Sequence, residues 1–86
     1  MQFRIFFSFW EMDFDAKNCR RLVARLRPRE RQVLIAVASG KPRKQIATDL
    51  DLSIRTVSAY LTSTYRKLNV FSNVMATRVA AAARIV

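Results

Sequence analysis

The chain has 86 residues, 16 Lys+Arg against 6 Asp+Glu, and a formal net charge of +10 at neutral pH. That length holds one small domain and excludes an enzyme built around a deep cleft, while the charge balance points to a polyanionic partner, nucleic acid first. With no His and a single Cys, the sequence lacks the commonest general base and the thiols for an intrachain disulfide or a thiolate metal cluster, so neither cofactor nor metal is expected.

One Gly and two Pro argue against a turn-rich sheet fold and against a disordered linker. Along Gln2 to Phe14, the residues Phe3, Ile5, Phe7 and Phe9 alternate with Gln2, Arg4, Phe6 and Ser8. That period of two reads as a short aromatic strand. It would have to pair with a second copy, pack on the helical body or be a remnant of something upstream, and its aromatics also suit a protein partner. The apolar run Ile5 to Trp10 is far below the roughly 20 residues of a membrane span and is wrongly flanked for a secretory signal. A soluble, cytoplasmic protein with no membrane partner is expected.

Asp15 is placed to cap a first helix over about Ala16 to Leu26, with Cys19, Leu22, Val23 and Leu26 on one face. Cys19 on that stripe reads as a buried, inert thiol. Seven basic residues and one acid between Lys17 and Arg31 suit either phosphate contact or a solvated face. Pro28 opens a second helix, running to about Ser39, with Val33, Leu34 and Val37 inward. Gly40 falls where a helix stop needs a left-handed residue.

A short helix then spans Arg43 to Leu50, Asp51-Leu52 makes a turn, and Ser53 caps a longer helix over Ile54 to Leu68. The longer helix turns Val57, Leu61, Thr64 and Leu68 inward. Its opposite face carries Arg55, Ser58, Ala59, Thr62 and Ser63, with Arg66 and Lys67 at its end. Ser72 caps a last helix, Asn73 to Ile85. One of its stripes (Ala76, Val79, Ala80, Ala83) faces the core, and a second (Val74, Arg78, Ala81, Ile85) needs a partner.

Short helix, tight turn and longer helix make a helix-turn-helix, whose second helix reads base edges in the major groove. Ser58 and Thr62 have hydroxyls for hydrogen bonds, and Ala59 and the Thr62 methyl suit a thymine methyl. Residues 54–86 carry five basic groups and no acid. Arg43 and Lys44, at the start of the short helix, are placed to reach phosphates, and Arg55 flanks the reading face.

From Leu26 to about Ala83 the chain resembles the DNA-binding domain of LuxR/GerE-type bacterial regulators, which also ends the NarL/FixJ response regulators. The matching residues are Pro28-Arg29-Glu30-Arg31-Gln32-Val33-Leu34, Gly40, Lys44-Gln45-Ile46-Ala47, Leu50, Leu52-Ser53, Thr56-Val57, Lys67-Leu68, Asn69-Val70 and Ala76. The resemblance implies an all-α, four-helix domain over 26–86, preceded by an aromatic segment and an extra basic helix over 1–25. It implies that Thr56, Arg66 and Lys67 hold phosphates, that Ser58, Ala59 and Thr62 face bases, and that the last helix dimerises. Double-stranded DNA and a second copy are the implied partners. Departures are Arg27 for a Thr or Ser cap, Ser58 for a frequent Lys, Tyr60 for His, Thr64 for an apolar residue and Asn73 for Arg. The family usually joins this domain to a sensor, so a stand-alone regulator and the output half of a longer one are both expected forms. The competing readings are a protein-interaction module and a basic bundle at a membrane surface.

Overall fold

A computed structural model describes residues 14–86. The expected aromatic strand over Gln2–Phe14, and any partner surface on it, therefore lies outside the described residues except for Phe14 itself. Among the described residues five helices follow in order: α1 (Ala16–Val23), α2 (Pro28–Ala38), α3 (Arg43–Leu50), α4 (Ile54–Leu68) and α5 (Asn73–Ala82). Among the described residues there is no strand, so the all-α expectation holds, and no helix is long and apolar enough to cross a membrane.

The starts of the helices follow local chemistry. The Asp15 carboxylate accepts the Asn18 N–H at 3.1 Å, Ser53 Oγ accepts the Thr56 N–H at 3.0 Å and Ser72 Oγ accepts the Met75 N–H at 3.2 Å. Each satisfies a donor that the first helical turn leaves open. Arg27 gives α2 no side-chain cap. The Glu30 carboxylate instead reaches back to the Arg27 N–H at 2.8 Å, which is half of a capping box.

The ends of α2 to α5 share one device. Gly40, Asp51, Asn69 and Arg84 all take left-handed backbone, with φ of +88°, +57°, +60° and +60°. Each is followed by a residue whose N–H bonds back five positions: Lys41 to Ala36, Leu52 to Ala47, Val70 to Tyr65 and Ile85 to Ala80. This closure satisfies carbonyls that the last turn leaves open. Gly40 and Asn69 were legible as such stops. Arg84 was not, because an arginine gains nothing intrinsic from φ > 0. It ends α5 at Ala82 rather than Ile85 and turns Ile85 back onto the core. α1 also stops early, at Val23 instead of Leu26. Pro28 requires extended backbone at Arg27 (φ −73°, ψ 157°), and the chain unwinds ahead of it through Arg25-to-Leu22 and Leu26-to-Val23 turns.

Gly40 gives a clean test of this device. A Cβ built there meets nothing within 4 Å, so Gly40→Ala carries a backbone cost alone. We expect about 1–2 kcal/mol of destabilisation, read as a lower thermal midpoint with an unchanged helical spectrum. An unchanged midpoint would show that α2 does not need this stop.

The core has two parts. One joins α1, α2, α4 and α5 through Cys19, Val23, Leu34, Leu68, Met75, Ala76, Val79 and Ala80. The other sits inside the helix-turn-helix and holds Val33, Ile46, Ala47, Val57 and Leu61. The neighbours Val33 and Leu34, both 0% exposed, face different parts. Val37, expected inward, is half-buried at the edge of the second.

Candidate nucleic-acid interface

α4 is seated by Val57, Leu61, Thr64 and Leu68, all buried. Burying an aliphatic side chain of this size contributes about 1.5–3 kcal/mol, so this stripe fixes the rotation of the helix. Thr64 is tolerated there because its hydroxyl donates to the Tyr60 carbonyl at 2.7 Å, which leaves no orphaned polar atom.

With that face fixed, the opposite one follows from helical periodicity. Arg55, Ala59, Thr62 and Arg66 are spaced by four, three and four, and all are exposed. Ser58 borders the stripe and is half-buried. Its Oγ accepts a hydrogen bond from Arg43 Nη1 at 3.1 Å. The Thr62 hydroxyl donates to the Ser58 carbonyl at 3.0 Å. Thr56 sits at the N-terminal edge, its Oγ1 accepting from Ser53 Oγ at 2.8 Å. Lys44 is exposed at the start of α3. The structure thus gathers Arg43, Lys44, Arg55, Thr56, Ser58, Ala59, Thr62 and Arg66 on α3 and α4. The nearby Asp49 carboxylate takes Lys41 Nζ at 2.9 Å and Gln45 Nε2 at 2.7 Å. The bonds from Lys41 and Gln45 hold it below the usual carboxylate range.

Two expected members of that face are turned elsewhere. Ser63 does not join the outer stripe, because its hydroxyl donates to Glu30 Oε2 at 2.5 Å. Lys67 Nζ lies 2.8 Å from Glu30 Oε1. Glu30 is 3% exposed and takes three partners: Ser63, Lys67 and the Arg27 N–H. Burial pushes its carboxyl upward, but the bonds from Lys67, Ser63 and Arg27 outweigh that and lower it to about 2. Ser63 and Lys67 lie more than 30 positions from the acid, so spacing did not reveal them. The available signal was that Glu30 falls at helical spacing from the inward residues Val33, Leu34 and Val37.

On α5, the stripe expected to need a partner is divided between solvent and core. Val74, Arg78 and Ala81 are exposed. Ile85 has left the helix and is half-buried against the first core. The Arg78 guanidinium lies 4.2 Å from the centre of the Phe14 ring, a cation–π contact. Asn73, where a cation was expected from the resemblance, accepts the Tyr65 hydroxyl. Burial pushes the Tyr65 phenol above its ordinary value, against a smaller opposing pull from Arg43.

Comparison with known proteins agrees with this geometry. The family described as GerE, bacterial regulatory proteins of the luxR family, matches residues 24–80. The transcriptional regulatory protein FixJ of Rhizobium meliloti (strain 1021) is 46% identical over 54 residues, covering 63% of this chain and 26% of that protein. The transcriptional regulatory protein YdfI of Bacillus subtilis (strain 168) is 40% identical over 70 residues, covering 81% of this chain and 33% of that protein. The chain therefore spans about a quarter to a third of the length of these relatives. No solved structure gives a significant match.

Proposed function

The chain belongs to the luxR family of bacterial regulatory proteins, and from that premise we propose that it is a sequence-specific DNA-binding transcription regulator that lays α4 in the major groove. The observation that carries this reading is the exposed stripe of Arg55, Ala59, Thr62 and Arg66, on a stretch with no carboxylate after Asp51. Eleven residues of helix put Arg55 and Arg66 about 16 Å apart along the axis. The two guanidiniums thus flank Ala59 and Thr62, so each end of the segment carries a cation for phosphate while the small residues between them approach the bases.

Ser58, Ala59 and Thr62 face bases in this reading, and Lys44, Arg55, Thr56 and Arg66 hold phosphates. Lys67 spends part of its donor capacity on Glu30, so Arg66 carries most of the phosphate contact at that end. A dimer forms through α5 by Val74, Arg78 and Ala81, with Ile85 serving the core instead. The reading places the protein in the bacterial cytoplasm and involves no catalytic step. Two exposed apolar residues, Phe71 at 82% and Val74 at 70%, favour a protein contact at the start of α5. That contact belongs to the dimer here and would be the main function in the interaction-module reading.

The test is selection of bound duplexes from a random-sequence pool at two salt concentrations. An inverted repeat that survives the higher salt is the expected result. Thr62→Ala should then change base preference at one position per half-site, and Arg66→Ala should weaken all sequences alike. Binding with no enriched motif, lost at higher salt, would leave only the +10 charge at work and turn the assignment to the interaction module.

A further inference from the structure

The reading helix has no cation in the middle of its groove-facing surface, because Arg55 and Arg66 stand at its two ends with Ser58, Ala59 and Thr62 between them. The structure supplies one from the neighbouring helix. Arg43, the first residue of α3, crosses the helix-turn-helix and donates to Ser58 Oγ at 3.1 Å. We propose that Arg43 is a specificity-determining residue that reads a guanine edge in the major groove, with Ser58 holding its guanidinium in place. This rests on the DNA-binding reading above and deepens it, since it moves Arg43 from a phosphate contact to a base contact.

Three observations carry the inference. First, Ser58 is neutral, so it orients the guanidinium without cancelling its charge, and neither ion pair among the described residues includes Arg43. Lys41 and Lys67, by contrast, are held by the carboxylates of Asp49 and Glu30. Second, a guanidinium has five N–H donors in a planar fork. The bond to Ser58 uses one, and Arg43 is exposed, so a pair of donors remains for the O6 and N7 acceptors of guanine. Third, the anchor stands next to Ala59, whose methyl group leaves room for the fork to approach the base pair.

The experiment repeats the pool selection with the wild type, Arg43→Lys, Arg43→Ala and Ser58→Ala. Thermal melts of each variant check the fold, which substitution of the exposed Arg43 should leave intact. The expected result is a guanine in the wild-type half-site whose preference drops roughly tenfold or more in both Arg43 variants, with the other positions unchanged. Lysine should not rescue it, because a point charge cannot replace a bidentate fork. Ser58→Ala should weaken preference at the same position. Replacing that guanine by 7-deazaguanine, which lacks N7, should weaken the wild type and leave Arg43→Ala unaffected. If Arg43→Ala weakens all sequences equally and Arg43→Lys restores binding, Arg43 is a phosphate contact and the inference is overturned while DNA reading stands. A wild type that enriches no motif overturns both.

Discussion

Lys67→Ala is expected to destabilise the domain by on the order of 3 kcal/mol, because it leaves the buried Glu30 carboxylate without its cation. A chain of this length has only about 4–13 kcal/mol of total stability, so the loss should be plain in urea or thermal unfolding at neutral pH. The pH dependence identifies the cause. In the folded wild type the Glu30 carboxyl lies at about 2, against an ordinary value of 4.5. A depressed carboxyl stabilises the fold above its unfolded pKa, and that contribution, about 3 kcal/mol at 1.36 kcal/mol per unit, is lost as pH falls from about 4.5 through 2. The gap between wild type and Lys67→Ala should therefore narrow as pH drops toward 2, where a protonated Glu30 no longer needs the ammonium. A gap that stays constant with pH would mean that Lys67 acts by packing alone. The same variant will weaken DNA binding through lost fold, so its binding has to be measured at a temperature where it is still folded.

Ala59→Glu is expected to reduce duplex binding on the order of 100-fold or more with little change in the melting curve. Ala59 is exposed in the middle of the outer stripe of α4, so a longer side chain there disturbs no core contact. A carboxylate between two phosphate walls meets like charge, which costs several kcal/mol at an interface, and its bulk keeps the helix off the bases. Binding that survives Ala59→Glu would mean that another surface contacts DNA.

Much of this was legible in the sequence. The four-residue stripe Val57, Leu61, Thr64 and Leu68 set the rotation of α4, and its mirror stripe followed without further information. Gly40, Asn69 and Ser53 marked helix boundaries by backbone preference and side-chain reach. What escaped were long-range polar contacts. Glu30 with Ser63 and Lys67, and Arg43 with Ser58, join different helices, and no periodicity within one helix encodes them. The Glu30 contacts moved two side chains from where the helix pattern put them: Ser63 off the outer face, Lys67 onto an acid. Arg84 escaped for another reason. Nothing in its chemistry favours left-handed backbone, and the surrounding closure, with Ile85 N–H on Ala80, imposes it.

The split core has a consequence for how such a domain can change. Val33 and Leu34 are adjacent, yet one supports the helix-turn-helix and the other supports α1 and α5. Substitutions around Cys19, Met75 or Val79 alter how α1 and α5 pack and leave Ile46, Val57 and Leu61 beneath α4 as they were. The two halves can thus drift at different rates, with α2 and α4 as the shared keel: one can be repacked while the other keeps its register.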